Sequence, residues 1–396
     1  MKILKDPVES IATLKADLKT LHNWSIQWRV TFNAIKTVFM IISLKKNRIA
    51  YPPLYLGNTQ IKEVTIHTHL GLTLNNSMTW NDHVARITEK ASKRVHLLKR
   101  IRQLMPRSVL ETLYKTLVRP ILEYAGVVFD NLPPGLQDKL ESVQRSAAIV
   151  CSSAYRHTSN EKLLQELGWE PLHLRRKCQR LLLFYKMVNG FTPNYLNNLL
   201  PDPNQRYLAH RLRNADNIPV PFARTVRFQD SFLLSSIRNW NQLNPDLKKS
   251  NTVTHFKYQL HRTFYYKTNK LYSYGHGLPA VTLTRIRLGL SPLRVHLQKI
   301  GVENDSTCNL CNFGIEDPLH FFMNCPTFAL PRAQLLSSLL DLLPYDYIQN
   351  LSTDNLLKIL INGDSNISYN LNSQIFDIVF RYIECTERFT LVQDNE

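Results

Sequence analysis

A mostly α-helical α+β protein, with a few short strands near the N-terminus, is what this sequence predicts, and three observations carry that reading. Apolar residues recur at steps of three and four over long stretches, beginning with Val8, Ile11, Leu14, Leu18, Leu21 and Trp24. Strand-like patches are confined to the region between Val38 and Leu74. Glycine is scarce, 12 in 396 residues, against a usual level of roughly 7%. That scarcity counts against glycine-loop nucleotide folds, collagen-like repeats and flexible low-complexity chains.

The first helix is predicted over residues 8–28. A β-leaning patch follows at Val38-Phe39-Met40-Ile41-Ile42, then a strand pair around Tyr51–Val64 with Gly57-Asn58 as its turn. Leu70-Gly71-Leu72-Thr73-Leu74 closes this small α+β part. From Asn81 onward helix follows helix. Val84, Ile87, Ala91, Val95, Leu98 and Ile101 form one apolar stripe, with the basic residues mostly off it. Pro106 suits the first residue of the next helix, Pro120 reopens the chain, and Pro133-Pro134-Gly135 precedes the amphipathic run Leu136, Leu140, Val143, Ala147, Val150. Thr158-Ser159-Asn160-Glu161 reads as a capping box and Gly168 as its helix end. A helix after Pro171 runs to Gly190. Residues 201–230, with four prolines, read as a connector. Helical signal resumes at Phe232–Trp240 and Val253–Tyr266, and the tail from Arg332 is again mostly helical.

The charge balance is unusual: 49 Lys+Arg against 31 Asp+Glu, a net of +18. Arg86–Arg119 holds ten Lys or Arg, among them Arg86, Lys90, Lys93, Arg94, Lys99 and Arg100, against Glu89 and Glu111. Leu247–Val302 holds ten more, including Lys257, Arg262, Lys267, Arg285, Arg287 and Arg294, with no acid. The tail from Ala329 reverses sign, with four bases and nine acids. A polyanion is the natural partner of such a field, because each neutralised phosphate releases counterions. Phe256, Tyr258, Phe264, Tyr265, Tyr266, Tyr272 and Tyr274 interleave with the second basic stretch, a mixture that suits single-stranded nucleic acid. Taken singly, each ring is more often core and each base more often a solvated face.

No apolar run reaches the roughly 20 residues of a membrane helix, and the first residues, charged on both sides of a short apolar step, do not read as a signal peptide. Six cysteines without a secretion signal imply a reduced, intracellular protein, nuclear and cytoplasmic. Three of them fall in C-x2-C-x8-H-x4-C: Cys308, Cys311, His320 and Cys325. Three thiolates and an imidazole match a closed structural zinc site, which supplies folding energy and leaves no position for a catalytic water. His67 and His69 share a strand face but lack a third ligand nearby, so they read as structural. Cys151, Cys178 and Cys385 read as buried thiols. The phosphate-loop, nucleophile-elbow and H-E-x-x-H patterns are all absent, as is any Asp-Asp pair, so the carboxylate cluster of a two-metal nucleotidyl transferase cannot be assembled.

Several short motifs, in order, resemble the reverse transcriptases of LINE-type (non-LTR) retrotransposons. They are Trp24-Ser25-Ile26-Gln27-Trp28, Phe32-Asn33-Ala34-Ile35-Lys36-Thr37, His69-Leu70-Gly71-Leu72 and Met78-Thr79-Trp80-Asn81-Asp82-His83. Arg119-Pro120-Ile121-Leu122-Glu123-Tyr124-Ala125, Leu140-Glu141-Ser142-Val143-Gln144, Trp240-Asn241-Gln242-Leu243 and the Cys/His cluster extend the likeness to about Arg332. The resemblance implies the end of a palm over residues 1–75 and a helical thumb-like domain over 76–200. It implies a CCHC zinc knuckle over 301–335, while charge and composition alone give a basic aromatic nucleic-acid-binding connector over 201–300 and an acidic helical tail over 336–396. It makes Lys36 the match to a late-palm lysine that assists proton transfer, and Leu70-Gly71 the match to a primer-grip turn. It implies RNA and DNA partners, a structural Zn2+, and Mg2+ only in a full-length polymerase. The matched residues begin downstream of the family's catalytic aspartates, so the expectation is a chain that binds template without polymerising, with no membrane and no small-molecule substrate. A stand-alone zinc-dependent nucleic-acid-binding protein derived from such an element is the alternative.

Overall fold

The computed structural model describes residues 7–42, 52–201, 217–264 and 269–389. About 60% of it is helix and 5% strand, a mostly helical α+β protein. The chain divides into two compact units, Met1–Ile87 and Thr88–Glu396.

In the first unit, α1 (Pro7–Gln27) shows the expected periodicity but buries little of it. Ile11 and Ser25 are buried, whereas Leu14, Leu21 and Trp24 stand exposed. Trp24 instead lies 6.3 Å from Trp28 and 6.2 Å from Phe32, a small aromatic cluster on the surface. Strands β2 (Tyr55–Leu56) and β3 (Thr59–Gln60) form an antiparallel hairpin with Leu56 opposite Thr59. The turn between them is Gly57-Asn58, as read from sequence. Gly57 has φ +61°, and a Cβ there would come 2.8 Å from the His22 ring on α1. Glycine is required twice over, by backbone angle and by the close approach of the helix.

β1 (Val38–Phe39) pairs in parallel with β4 (Lys62–Glu63), and β5 (Ile66–His69) pairs antiparallel with β6 (Leu72–Asn75). Leu70 and Gly71 take φ of 46° and 81°, the left-handed pair that a two-residue hairpin turn requires. The buried face of β6 is polar. Thr73 and Asn75 point inward, and the Thr73 N–H donates to His83 Nδ1 at 3.3 Å. Burial and the nearby Arg86 guanidinium push the His83 imidazole down to about 4, so it is held neutral.

The unit boundary falls inside α2 (Asn81–Ile101). The second unit continues through α3 (Arg107–Leu113), a π-helical turn (Tyr114–Val118) and α4 (Arg119–Glu123). Pro106 is the cap before α3 rather than its first residue. Pro120 sits at the start of α4, just after the widened turn, where its missing N–H leaves no broken ladder. α5 (Pro134–Ser152), α6 (Asn160–Leu167) and α7 (Leu172–Val188) follow. Ser159, not Thr158, caps α6 by accepting from the Lys162 N–H; the Thr158 hydroxyl donates to the Tyr155 carbonyl. Tyr114 is buried, stacked at 4.0 Å on Trp169, and its hydroxyl donates to Gln144 Oε1 at 2.5 Å.

Two further cores complete the unit. Helices Phe232–Asn241 and Val253–Phe264 pack on α7, with Phe256 stacked at 4.3 Å on Tyr185 and Phe184 at 5.6 Å from Trp240. The other core runs from Leu271 to Phe389 and merges the Cys/His segment with helices Gly277–Arg287, Ala329–Leu342, Thr353–Asn362 and Tyr369–Cys385. Cysteine cluster and acidic tail therefore share one hydrophobic interior. Among the described residues, no helix is long and apolar enough to cross a membrane.

Candidate metal centre and basic surfaces

Cys308 opens a tight turn pinned by three backbone contacts. Its N–H donates to the Gly314 carbonyl at 3.0 Å, the Asn312 N–H returns to the Cys308 carbonyl at 2.8 Å, and Thr307 bridges Ile315. Asn312 and Gly314 take φ of 54° and 77°, which lets two cysteines three residues apart face one point. Asp317 accepts from the His320 N–H at 2.7 Å and starts the turn His320–Asn324. The Cys325 N–H donates to the His320 carbonyl at 2.8 Å, which brings the fourth residue back beside the third.

The four ligand atoms of Cys308, Cys311, His320 and Cys325 all lie within 4.8 Å of one another, and Cys311 Sγ is 3.4 Å from His320 Nε2. Cys308, His320 and Cys325 are buried and Cys311 is half-buried. Burial pushes the bare Cys308 thiol up to about 11. A cation at the centre would reverse that cost, because the thiolate is the ligating form. This cluster can hold a metal ion.

Aromatic rings enclose the site from behind. Phe321 lies 4.9 Å from Phe322, 5.4 Å from Phe328, 5.3 Å from Tyr382 and 5.1 Å from Phe389. The Tyr382 hydroxyl donates to the Phe321 carbonyl at 2.6 Å, and Arg332 Nη1 donates to the Cys325 carbonyl at 2.8 Å. Glu316 is almost fully buried and accepts from Arg388 Nε at 2.7 Å, from Arg388 Nη2 at 2.9 Å and from the Arg294 N–H at 2.9 Å. Sequence reading missed Glu316, Tyr382, Arg388 and Phe389. Three of them lie more than fifty positions after the cluster, and only the fold brings them to it.

The basic residues divide into open and spent. On α2, Arg86, Lys90, Lys93, Arg94, Lys99 and Arg100 are all exposed and lie off the buried stripe Val84, Ile87, Ala91, Val95 and Leu98. Arg86 donates to the Gly71 carbonyl, and Lys93 pairs with Glu89 at 2.7 Å. Lys90, Arg94, Lys99 and Arg100 form no ion pair among the described residues. Lys257 and Arg262 are exposed, with the Arg262 cation 5.9 Å from the ring centre of exposed Tyr258. Lys267, Tyr265 and Tyr266 lie outside the described residues. Lys36 is exposed in the turn before β1, its N–H donating to Asn33.

Four other arginines are engaged with partners in the protein. Arg287 has 5% of its side chain exposed and donates to Glu166 at 2.9 Å, to the Ile361 carbonyl and over the Tyr272 ring. Arg107 joins the same carboxylate at 2.7 Å and Glu111 at 2.9 Å. Arg285 lies 4.2 Å over the Tyr155 ring and donates to the Ser153 carbonyl. Arg294 pairs with Glu303 at 3.0 Å. Of the interleaved aromatics, Phe256 is core, Tyr272 lies under Arg287, and Tyr274 donates to Asp377 at 2.9 Å.

A second cluster gave no sequence signal. Arg176 is fully buried on α7, 3.6 Å from Asp130, and Arg180 pairs with the same aspartate at 2.5 Å. Two arginines share one carboxylate, and burial pushes the Asp130 carboxyl up against their opposing pull. Comparison with protein-family models, with curated proteins and with solved structures finds no match to this chain.

Proposed function

We propose that the chain is the C-terminal portion of a non-LTR retrotransposon RNA-directed DNA polymerase, lacking the catalytic aspartates and retaining the capacity to hold template RNA and primer or target DNA. The observation that carries this reading is the open face of α2, where four exposed bases have no acidic partner among the described residues. A face of this kind neutralises backbone phosphates and positions a strand without reading bases. The order of short motifs from Trp24 to Cys325 supports polymerase descent. Two-metal nucleotidyl transfer needs clustered carboxylates, so Mg2+ chemistry belongs to a chain that carries the aspartate pair. Work on RNA and DNA puts the protein in the nucleus and cytoplasm.

Cys308, Cys311, His320 and Cys325 would hold Zn2+. Four soft or borderline donors converge on one point, three of them buried, which suits a four-coordinate structural ion. When bound, the ion supplies folding energy by joining the turn at Cys308 to the turn at His320. Phe321, Phe322 and Tyr382 exclude water behind it. The second reading, a stand-alone zinc-dependent nucleic-acid-binding protein derived from such an element, draws its support from this closed donor set. Under it, RNA binding fails when Cys311→Ser removes the metal.

The test pairs two assays on the full chain. Fluorescence anisotropy with a labelled single-stranded RNA is expected to show binding that weakens steeply with salt. Primer extension with Mg2+ or Mn2+ is expected to show none. Measurable dNTP incorporation, or RNA binding indifferent to salt, would sink the proposal.

A further inference from the structure

We propose that Arg176 and Arg180 form a buried site for one small tetrahedral oxyanion, phosphate or sulfate, beneath the turn at residues 124–130. Arg176 has no exposed surface, yet none of its three guanidinium nitrogens makes a hydrogen bond. Its ionic partner, Asp130 Oδ1, lies 3.6 Å from Nε, beyond hydrogen-bond length. Arg180, one turn further along α7, takes the other oxygen of Asp130 at 2.5 Å and leaves its own Nε unmet. Two buried guanidinium cations thus share one carboxylate.

The other carboxylates that act on Arg176, Glu123 and Glu141, are held elsewhere. Glu123 receives Arg175 and Arg119, and Glu141 receives His173 at 3.1 Å. The further groups near the pair are mostly basic. Lys177 and His173 act on Asp130, and Arg238, whose own partner is the exposed Asp230, acts on Arg180. Burial pushes both guanidinium groups down from their ordinary value. A buried cation without hydrogen bonds is expensive, and buried donors are almost always satisfied. Water would meet the donors and leave the charge. An oxyanion meets both, and its oxygens match the guanidinium fork.

The helix Phe232–Asn241 packs on α7 and adds further donors. Asn131, next in the chain to Asp130, donates its side-chain amide to Ser235 Oγ at 2.7 Å. Ser236 is fully buried with its hydroxyl unmet, and the buried hydroxyl of Ser231, at the N-cap, also has no hydrogen-bond partner. Hydroxyls and a helix N-terminus both favour an anion. On its other side the pair is covered by one turn rather than a packed helix. Gly126 lies against the Arg176 stem, where a Cβ would come 3.2 Å from Cγ, and Tyr124 and Val128 on that turn are exposed. Such an enclosure suits a single small ion, because a nucleic-acid backbone would have to bury its sugars as well.

The test follows the thermal midpoint of the full chain in sodium phosphate, sodium sulfate and sodium chloride at matched ionic strength. Phosphate and sulfate are expected to raise the midpoint with the logarithm of their concentration, as a ligand of the folded state does, and chloride is not. Arg176→Met removes that dependence without lowering the midpoint in chloride, because it deletes a buried charge that lacks hydrogen bonds. Arg180→Met is the second variant and also removes the dependence, which keeps the test decisive if Arg176→Met fails to fold. Lys90→Ala/Arg94→Ala on the exposed face of α2 keeps it, so failure here is distinguishable from failure of the nucleic-acid reading. A midpoint that follows ionic strength alone, or a phosphate response unchanged in Arg180→Met, would overturn the proposal. Single-stranded RNA that competes with phosphate in the wild type, and binds more weakly to Arg180→Met, would make the pair a backbone contact and overturn it too.

Discussion

Glu166 is where the account makes its most quantitative demand. Its carboxylate has 4% of its side chain exposed and receives Arg107 at 2.7 Å and Arg287 at 2.9 Å, side chains that are themselves 11% and 5% exposed. The Glu166→Gln substitution keeps the volume and removes the charge. Arg107 then retains Glu111 at 2.9 Å, whereas Arg287 retains only neutral acceptors, Thr284 and the Ile361 carbonyl. Breaking a buried pair from one side costs about 3–5 kcal/mol. Because Arg107 keeps a partner, about 3 kcal/mol is the expected loss. With an m-value of roughly 3 kcal/mol/M, the urea midpoint falls by about 1 M. Circular dichroism through a urea titration reads it. Glu161→Gln on the exposed side of the same helix is the control and should stay within about 0.5 kcal/mol. The Glu166→Leu/Arg287→Met pair should recover most of the loss, because an apolar replacement of a buried pair is close to neutral. A midpoint shift below about 0.3 M in Glu166→Gln would refute the reasoning and return Arg287 to the pool of bases open to nucleic acid.

Three further outcomes are expected. Cys325→Ser or His320→Ala should abolish chelator-resistant zinc, measured by metal analysis of the purified chain, and lower the unfolding midpoint; full zinc content in either variant would remove those residues from the site. His83 is held neutral with its pKa pushed down from 6.5 to about 4, so the unfolded chain binds more protons in between. The stability this contributes is present above pH 6.5 and falls by about 3 kcal/mol as pH drops to 4, and His83→Gln should flatten that slope in the first unit. Glu141 is opposed by burial, yet hydrogen bonds from the His173 ring and N–H hold its carboxyl below the usual carboxylate range. Its contribution is complete above about pH 4.3 and lost as pH falls through its depressed value. Glu141→Gln should therefore cost about 1.5–3 kcal/mol at pH 7, and less at pH 3 by acid-dependent denaturation.

Local signals were legible in the sequence, and pairings across the chain were not. The C-x2-C-x8-H-x4-C spacing located the four residues that can hold a metal ion, because a tight turn and a helix start are short-range events. The turn at Gly57-Asn58, the stop at Gly168 and the buried stripe of α2 were readable for the same reason. Burial of Arg287 depends on Glu166, 121 positions earlier in the chain, and no periodicity carries that information. Tyr382 and Phe389 read as part of an acidic tail until the fold set them against Phe321. On α1 the pattern misled in the opposite sense: Leu21 and Trp24 have core spacing, and yet the first unit leaves them in solvent. Period alone says which residues share a face, and only packing says whether that face is covered. Thr73 and Asn75 make the same point on β6, where the buried face is the polar one because His83 and Asp82 offer it hydrogen bonds.

The open face of α2 is the claim on which the functional account rests, and its most direct test is the salt dependence of RNA binding. The log of the association constant for a single-stranded RNA should be measured against the log of salt concentration for the wild type, Lys90→Ala/Arg94→Ala and Arg287→Met. Each lost phosphate contact on a single strand lowers the slope by about 0.7, so the α2 double variant should lose about 1.4 and Arg287→Met nothing. An unchanged slope in Lys90→Ala/Arg94→Ala would contradict the account.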